Sequence, residues 1–268
     1  MNNAYLLDGA LLRQHGLTLD TLALADTAYL YSDLGQDAAS VGPILLPETP
    51  AALAFANSLI NAEDSRRFAT SLLTYRGPLE SLRDHLSQLR YLETTHDNPR
   101  HYFLRYADMR VFEVLAGVVT AEQCRGLLGP IVRWSFVAPD KTFLELSPPG
   151  PPNGAISALP LRVSPSQLDS FLRNSRYHEL LHATLAHRPG LAQRGNLGQQ
   201  HAWTQQAHDW LLEQHIQHGG LQVVVNEAVW RTHGAALSSS EFIALVQQGT
   251  DDRQLERARV WSAKHAVA

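Results

Sequence analysis

The sequence is poor in cysteine, in lysine and in long apolar runs. Its one cysteine, Cys124, can form no internal disulfide and cannot by itself supply a thiolate cage for a metal. Lys141 and Lys264 are the only lysines, so arginine carries almost all the positive charge, a bias that implies no mechanism. A net charge of -4 and an isoelectric point near 6.3 give no field to gather nucleic acid or an anionic membrane, and neither partner is expected. The most apolar stretch, residues 44–56, is broken by Pro47, Glu48 and Pro50 and falls short of the ~20 apolar residues of a membrane span. The opening residues carry neither the basic nor the apolar region of a secretory signal, because Asp8 interrupts the run, and the expected location is the cytoplasm.

What is present suits a folded protein: 44% of the residues are hydrophobic and 18% charged, well away from the composition of disordered chains. A length of 268 residues lies where single cores begin to split, which favours two lobes. The densest cluster of helix and strand breakers runs through residues 148–154 and places the boundary there. The expected class is α+β, with a mixed α/β lobe over residues 1–147, a Pro/Gly-rich linker over 148–160 and an all-helical lobe over 161–268.

Within the first lobe, strands are expected at residues 5–7, 28–31 and 44–46, the first ending in the turn-forming pair Asp8-Gly9. Pro50 opens a helix with Leu53, Phe55, Ala56, Leu59 and Ile60 on its apolar stripe, and Gly77-Pro78 opens another with Leu79, Leu82, Leu86 and Leu89 inward. Residues 90–95 and 101–106 read as strands around the turn Asp97-Asn98-Pro99. Asp108 is placed to cap a helix over 111–119, and a shorter helix over 121–128 stops at Gly129-Pro130, before a strand through Ile131, Val132, Trp134 and Phe136. In the second lobe Ser164-Pro165-Ser166-Gln167 is a capping box opening a helix with Leu168, Phe171 and Leu172 inward. Helices follow at 202–217, 221–232, 240–248 and 252–263, although Val223-Val224-Val225 fits a buried strand equally well.

The one catalytic pattern is His178-Glu179-Leu180-Leu181-His182, the zincin arrangement of two histidines a helical turn apart with a glutamate to activate a metal-bound water. A third ligand is needed. Leu185 and Arg188 stand where one extended version requires glycine and histidine, and Glu213 and Glu227, the candidates for another, lie in no supporting motif. On a helical wheel His178 and His182 share a stripe with Phe171 and Leu185, so packing accounts for them. A zinc-dependent hydrolase using His178, Glu179 and His182 is the alternative function. The serines at 238–240 mark a helix start, and Cys124 reads as a small core residue.

The stretch Phe103-Leu-Arg-Tyr-Ala-Asp-Met-Arg110 resembles the R-x-Y/F-D-P-R signature of the type VI secretion adaptor chaperones, the Tap or Tec family, formerly known only as a domain of unknown function. Tyr5-Leu6-Leu7-Asp8-Gly9-Ala10 is similar to the segment that opens family members, and Gly129-Pro130-Ile131-Val132-Arg133-Trp134 to one that follows the arginine motif. Met109 departs from the family's usual proline, and Ala107 from its usual bulky residue. The resemblance implies a protein that is not an enzyme and has no cofactor, and that holds a cognate secreted toxin effector, often near its N-terminal domain. It would promote loading onto the VgrG spike without being secreted itself. The residues implied to matter are Asp8, Gly9, Arg105, Asp108, Arg110, Gly129, Pro130 and Trp134. For Arg105, Asp108 and Arg110 two roles stand open, an ion-pair and cap network that fixes a strand-to-helix junction, or direct contact with a partner.

Overall fold

A computed structural model describes residues 1–17, 27–95, 99–150, 157–249 and 251–267. By internal contacts the chain divides into two compact units, Met1–Arg173 and Asn174–Ala268.

The first unit is built on an antiparallel sheet of six strands in the order β2-β3-β1-β4-β7-β8. These are β1 (Asn2–Asp8), β2 (Ala28–Tyr29), β3 (Pro43–Pro47), β4 (Thr70–Tyr75), β7 (Ile131–Val137) and β8 (Phe143–Leu146). A smaller sheet sets β6 (His101–Phe103) antiparallel and β9 (Leu161–Val163) parallel to β5 (Tyr91–Thr94). Successive strand residues point to opposite faces, yet Tyr5, Leu6 and Leu7 are all buried, so both faces of β1 are covered. Phe112 stacks on Trp134 at 4.0 Å between ring centroids and meets Phe136 edge-on at 5.6 Å. The indole N–H of Trp134 donates to Ser71 Oγ at 2.9 Å, giving a fully buried tryptophan the partner it needs.

The helices of this unit are α1 (Gly9–Gln14), α2 (Gln36–Val41), α3 (Pro50–Ile60), α4 (Leu79–Gln88), α5 (Met109–Val118) and α6 (Ala121–Leu128). Leu82, Leu86 and Leu89 are buried as their spacing predicts. On α3 the buried stripe is Ala52, Ala56 and Leu59, while Leu53 lies outside. Apolar residues surround much of that helix, so its pattern could not say which arc faces inward. The pair Asp8-Gly9, read as a turn, instead begins α1: Asp8 Oδ1 accepts from the Leu11 backbone N–H at 2.8 Å. Turn chemistry and N-capping use the same short acceptor side chain, so the two are hard to tell apart in sequence. The turn residues Asp97 and Asn98 lie outside the described residues.

The second unit is helical. The helix α7 (Pro165–His187) contains the division between units at Arg173 and is followed by α8 (Leu197–Glu213), α9 (Gly219–Thr232), α10 (Ser240–Gln247) and α11 (Asp252–Lys264). The capping box is present, with Gln167 N–H donating to Ser164 Oγ and Ser164 N–H to Gln167 Oε1, but Leu172 is exposed rather than inward. The ambiguous valine run is helix α9, buried on nearly every side against α8 and α11, which is why it carries no amphipathic period. Buried polar bonds fasten it: Asn226 Nδ2 donates to Thr184 Oγ1 at 2.8 Å, and Trp230 Nε1 to Thr204 Oγ1 at 3.0 Å. The division falls beyond the linker expected at 148–160, because β9 returns after it to pair with β5 in the first unit. Residues 151–156 of that linker lie outside the described residues.

Candidate functional site

Two carboxylates, each at the junction of an extended segment with a helix, meet through one arginine. Asp8 closes β1 and caps α1; Asp108 follows β6 and caps α5, accepting from the Arg110 backbone N–H at 3.2 Å. Arg105 Nη2 donates to Asp8 Oδ2 at 3.1 Å and lies 3.4 Å from Asp108 Oδ2. Arg110 forks onto the same Asp108, Nε to Oδ1 at 2.9 Å and Nη2 to Oδ2 at 2.8 Å, with its guanidinium 5.7 Å from the Phe68 ring centroid. The carboxylates are buried and the guanidiniums lie outside them: the Arg105 side chain remains 44% exposed. Burial holds the Asp8 carboxyl above its ordinary range, the attraction of Arg105 opposes this, and the neighbouring Asp108 charge adds to it.

Gly9 belongs to the same junction. Its N–H donates to the Gly42 carbonyl at 3.1 Å, and a Cβ there would stand 2.5 Å from that oxygen, so only glycine allows α1 and the end of α2 to meet.

Beside this network lies a cleft of about 230 Å³. Tyr31, Leu34, Val41, Phe103 and Ala107 line it together with Arg105 and Asp8. Phe103 is 55% exposed, Leu34 46% and Val41 41%, so large apolar side chains ring its mouth. The sequence does not announce this cleft, because stretches at residues 8–10, 31–43 and 103–107 build it and the resemblance covers only the first and last of them; the signal that could have found it is Phe103, an aromatic on a short strand two residues before Arg105.

The remaining predicted residues lie elsewhere in the fold. Gly129 ends α6 at φ 52°, where an added Cβ would sit 2.3 Å from the His85 ring. The Pro130 carbonyl accepts from Arg76 N–H at 3.0 Å, and Trp134 is in the core. Cys124 is buried in α6, its thiol pushed up by burial. Residues 5–126 match the model of a family described as Domain of unknown function (DUF4123). That segment contains Asp8, Gly9, Arg105, Asp108 and Arg110, and Gly129, Pro130 and Trp134 follow just after it. No curated protein and no solved structure matches the chain.

In the second unit the zincin pattern lies on α7. His178 is half-buried, its ring 3.8 Å from that of Tyr177 and 5.6 Å from that of His201, whereas Glu179 and His182 are exposed. Packing therefore accounts for His178 and not for His182. Of the two candidate third ligands, Glu213 is exposed. Glu227 is buried among three arginines: Arg231 Nη2 at 2.9 Å, Arg188 Nε at 3.4 Å and Arg259 Nε at 3.7 Å. Among the described residues no group of three or more His, Cys, Asp or Glu could hold a metal ion.

Proposed function

We propose that this chain is an adaptor chaperone that binds a secreted toxin effector and promotes its loading onto the VgrG spike of a type VI secretion system. The observation that carries the reading is the pairing of a fixed scaffold with an open apolar surface: the motif residues Asp8, Arg105, Asp108 and Arg110 lock two helix starts together, and exposed Leu34, Val41 and Phe103 surround a cleft beside them. Large apolar side chains gathered around one cleft mark an interaction surface more often than scattered ones do. The family match over residues 5–126 and the resemblance of three spaced segments to the adaptor chaperones support the same reading. On this proposal the protein works by binding in the cytoplasm, without turnover, cofactor, nucleic acid or membrane. No helix among the described residues is long and apolar enough to cross a membrane.

The test is to sequence the genes flanking this one and to co-express the chain with the toxin that the proposal expects among them. A stable complex burying on the order of 800 Å² per partner is expected, together with loss of toxin solubility and secretion when the gene is deleted. Unchanged toxin yield and secretion in the deletion strain would exclude the adaptor role.

A further inference from the structure

The cleft beside Arg105 is small for a metabolite. Small-molecule sites commonly enclose roughly 300 to 1,000 Å³, and this one encloses about 230 Å³. It is scaled to a side chain. Ala38, Gly42 and Ala107 leave the space, the Tyr31 and Phe103 rings meet edge-on at 5.3 Å to wall it, and Leu34 and Val41 stand at its mouth. Tyr91 braces the outer side of Phe103 at 6.0 Å, so the aromatic wall is set before any partner arrives.

Two polar groups face the cleft, and they differ in what they have left to offer. Asp8 already accepts from Leu11 and from Arg105. Arg105 uses Nη2 for both carboxylates, while its Nε and Nη1 make no hydrogen bond among the described residues. Two carboxylates balance the two guanidiniums, so the cluster has no excess positive charge to select a phosphate. What remains is a directed donor beside an apolar hole, which complements a backbone carbonyl next to an apolar side chain. Phe103 also lies on β6, an edge strand that pairs only with β5 among the described residues, the position at which a further strand can add to a sheet.

We infer that the cleft is a socket for one aliphatic side chain of an extended client segment, which lies along β6 with a main-chain carbonyl accepting from Arg105. The inference rests on the adaptor reading for the identity of the client and on the cleft alone for the chemistry it takes.

Two experiments separate these. In the first, Ala38→Leu fills the socket from a short surface helix and Val41→Glu puts a charge at its mouth, with Val260→Glu, an exposed apolar position of the second unit, as the control. Both cleft variants should keep the wild-type thermal midpoint yet weaken binding of the neighbouring toxin by about tenfold or more, the scale of one lost apolar anchor, and Val260→Glu should not. In the second, a random peptide library is selected on the wild-type chain. Peptides with one fixed aliphatic position should be enriched, and replacing that residue with alanine should weaken binding to wild type but not to Ala38→Leu. Toxin binding that survives both cleft variants overturns the socket and leaves the adaptor reading intact. Enriched peptides without toxin binding would sustain the socket and remove the adaptor reading. Self-association abolished by Val41→Glu would assign the surface to a second copy and overturn the inference.

Discussion

Asp108 holds the α5 cap and both guanidiniums at once, so its removal is felt three ways. Asp108→Ala should lower the unfolding free energy by about 1 to 3 kcal/mol in urea titration, below the cost of stranding fully buried charges because water reaches both arginines. Client capture by the same variant should fall only in proportion to unfolding if the network is structural. Asp8 behaves unlike most paired carboxylates. Its folded pKa is raised, so the native state holds this proton more tightly than the unfolded chain. The associated stability is present below the ordinary aspartate value of about 4 and is lost as pH rises through the folded value. Asp8→Asn keeps a capping acceptor and removes the titration. The stability of wild type relative to Asp8→Asn should therefore decline as pH rises from about 4 through the raised folded value, and a flat difference in pH-resolved urea titrations would contradict the burial argument.

At the scale of elements, Gly129 and Glu227 each secure one. Gly129→Ala forces a Cβ into the His85 ring at a left-handed φ, where the α6 terminus meets α4 through the His85 ring and the Leu127 carbonyl. A loss of about 1 to 3 kcal/mol is expected by chemical denaturation. Glu227→Ala takes away the one buried carboxylate that Arg188, Arg231 and Arg259 share, and should cost about 1 to 3 kcal/mol because water reaches all three arginines, more than Glu227→Gln, which keeps an acceptor. Elements with a clear signature were legible: α4 from its leucine spacing, α5 from Asp108 before an apolar period, α6 from the Gly129-Pro130 stop. The strands β8 and β9 were not, being short, and β9 pairs with a strand far earlier in the chain; nor was the six-residue β4. Thr70-Ser-Leu-Leu-Thr-Tyr75 does carry the β-branched and aromatic residues of a strand, but no turn residues immediately flank it. The site divides the same way. Arg105, Asp108 and Arg110 are neighbours in sequence and could be grouped, whereas nothing in the sequence joins them to Asp8.

For the whole molecule, the two units give distinct optical reporters. Trp134 is the one tryptophan of the first unit, and Trp203, Trp210, Trp230 and Trp261 belong to the second. The match at residues 5–126 is also narrower than the body it belongs to. It stops inside α6, before β7 pairs with β4 and before Trp134 reaches Phe112. Someone cutting the gene at that limit would expose the β4 edge, uncover the stack on Phe112 and delete β9 from the small sheet. A fragment of residues 1–126 should therefore be recovered in inclusion bodies, whereas one of residues 1–173 should be soluble with the blue-shifted emission of a single buried indole. Sequence similarity here covers less than the compact unit that holds it, so the limits of a family match are not the limits at which to cut.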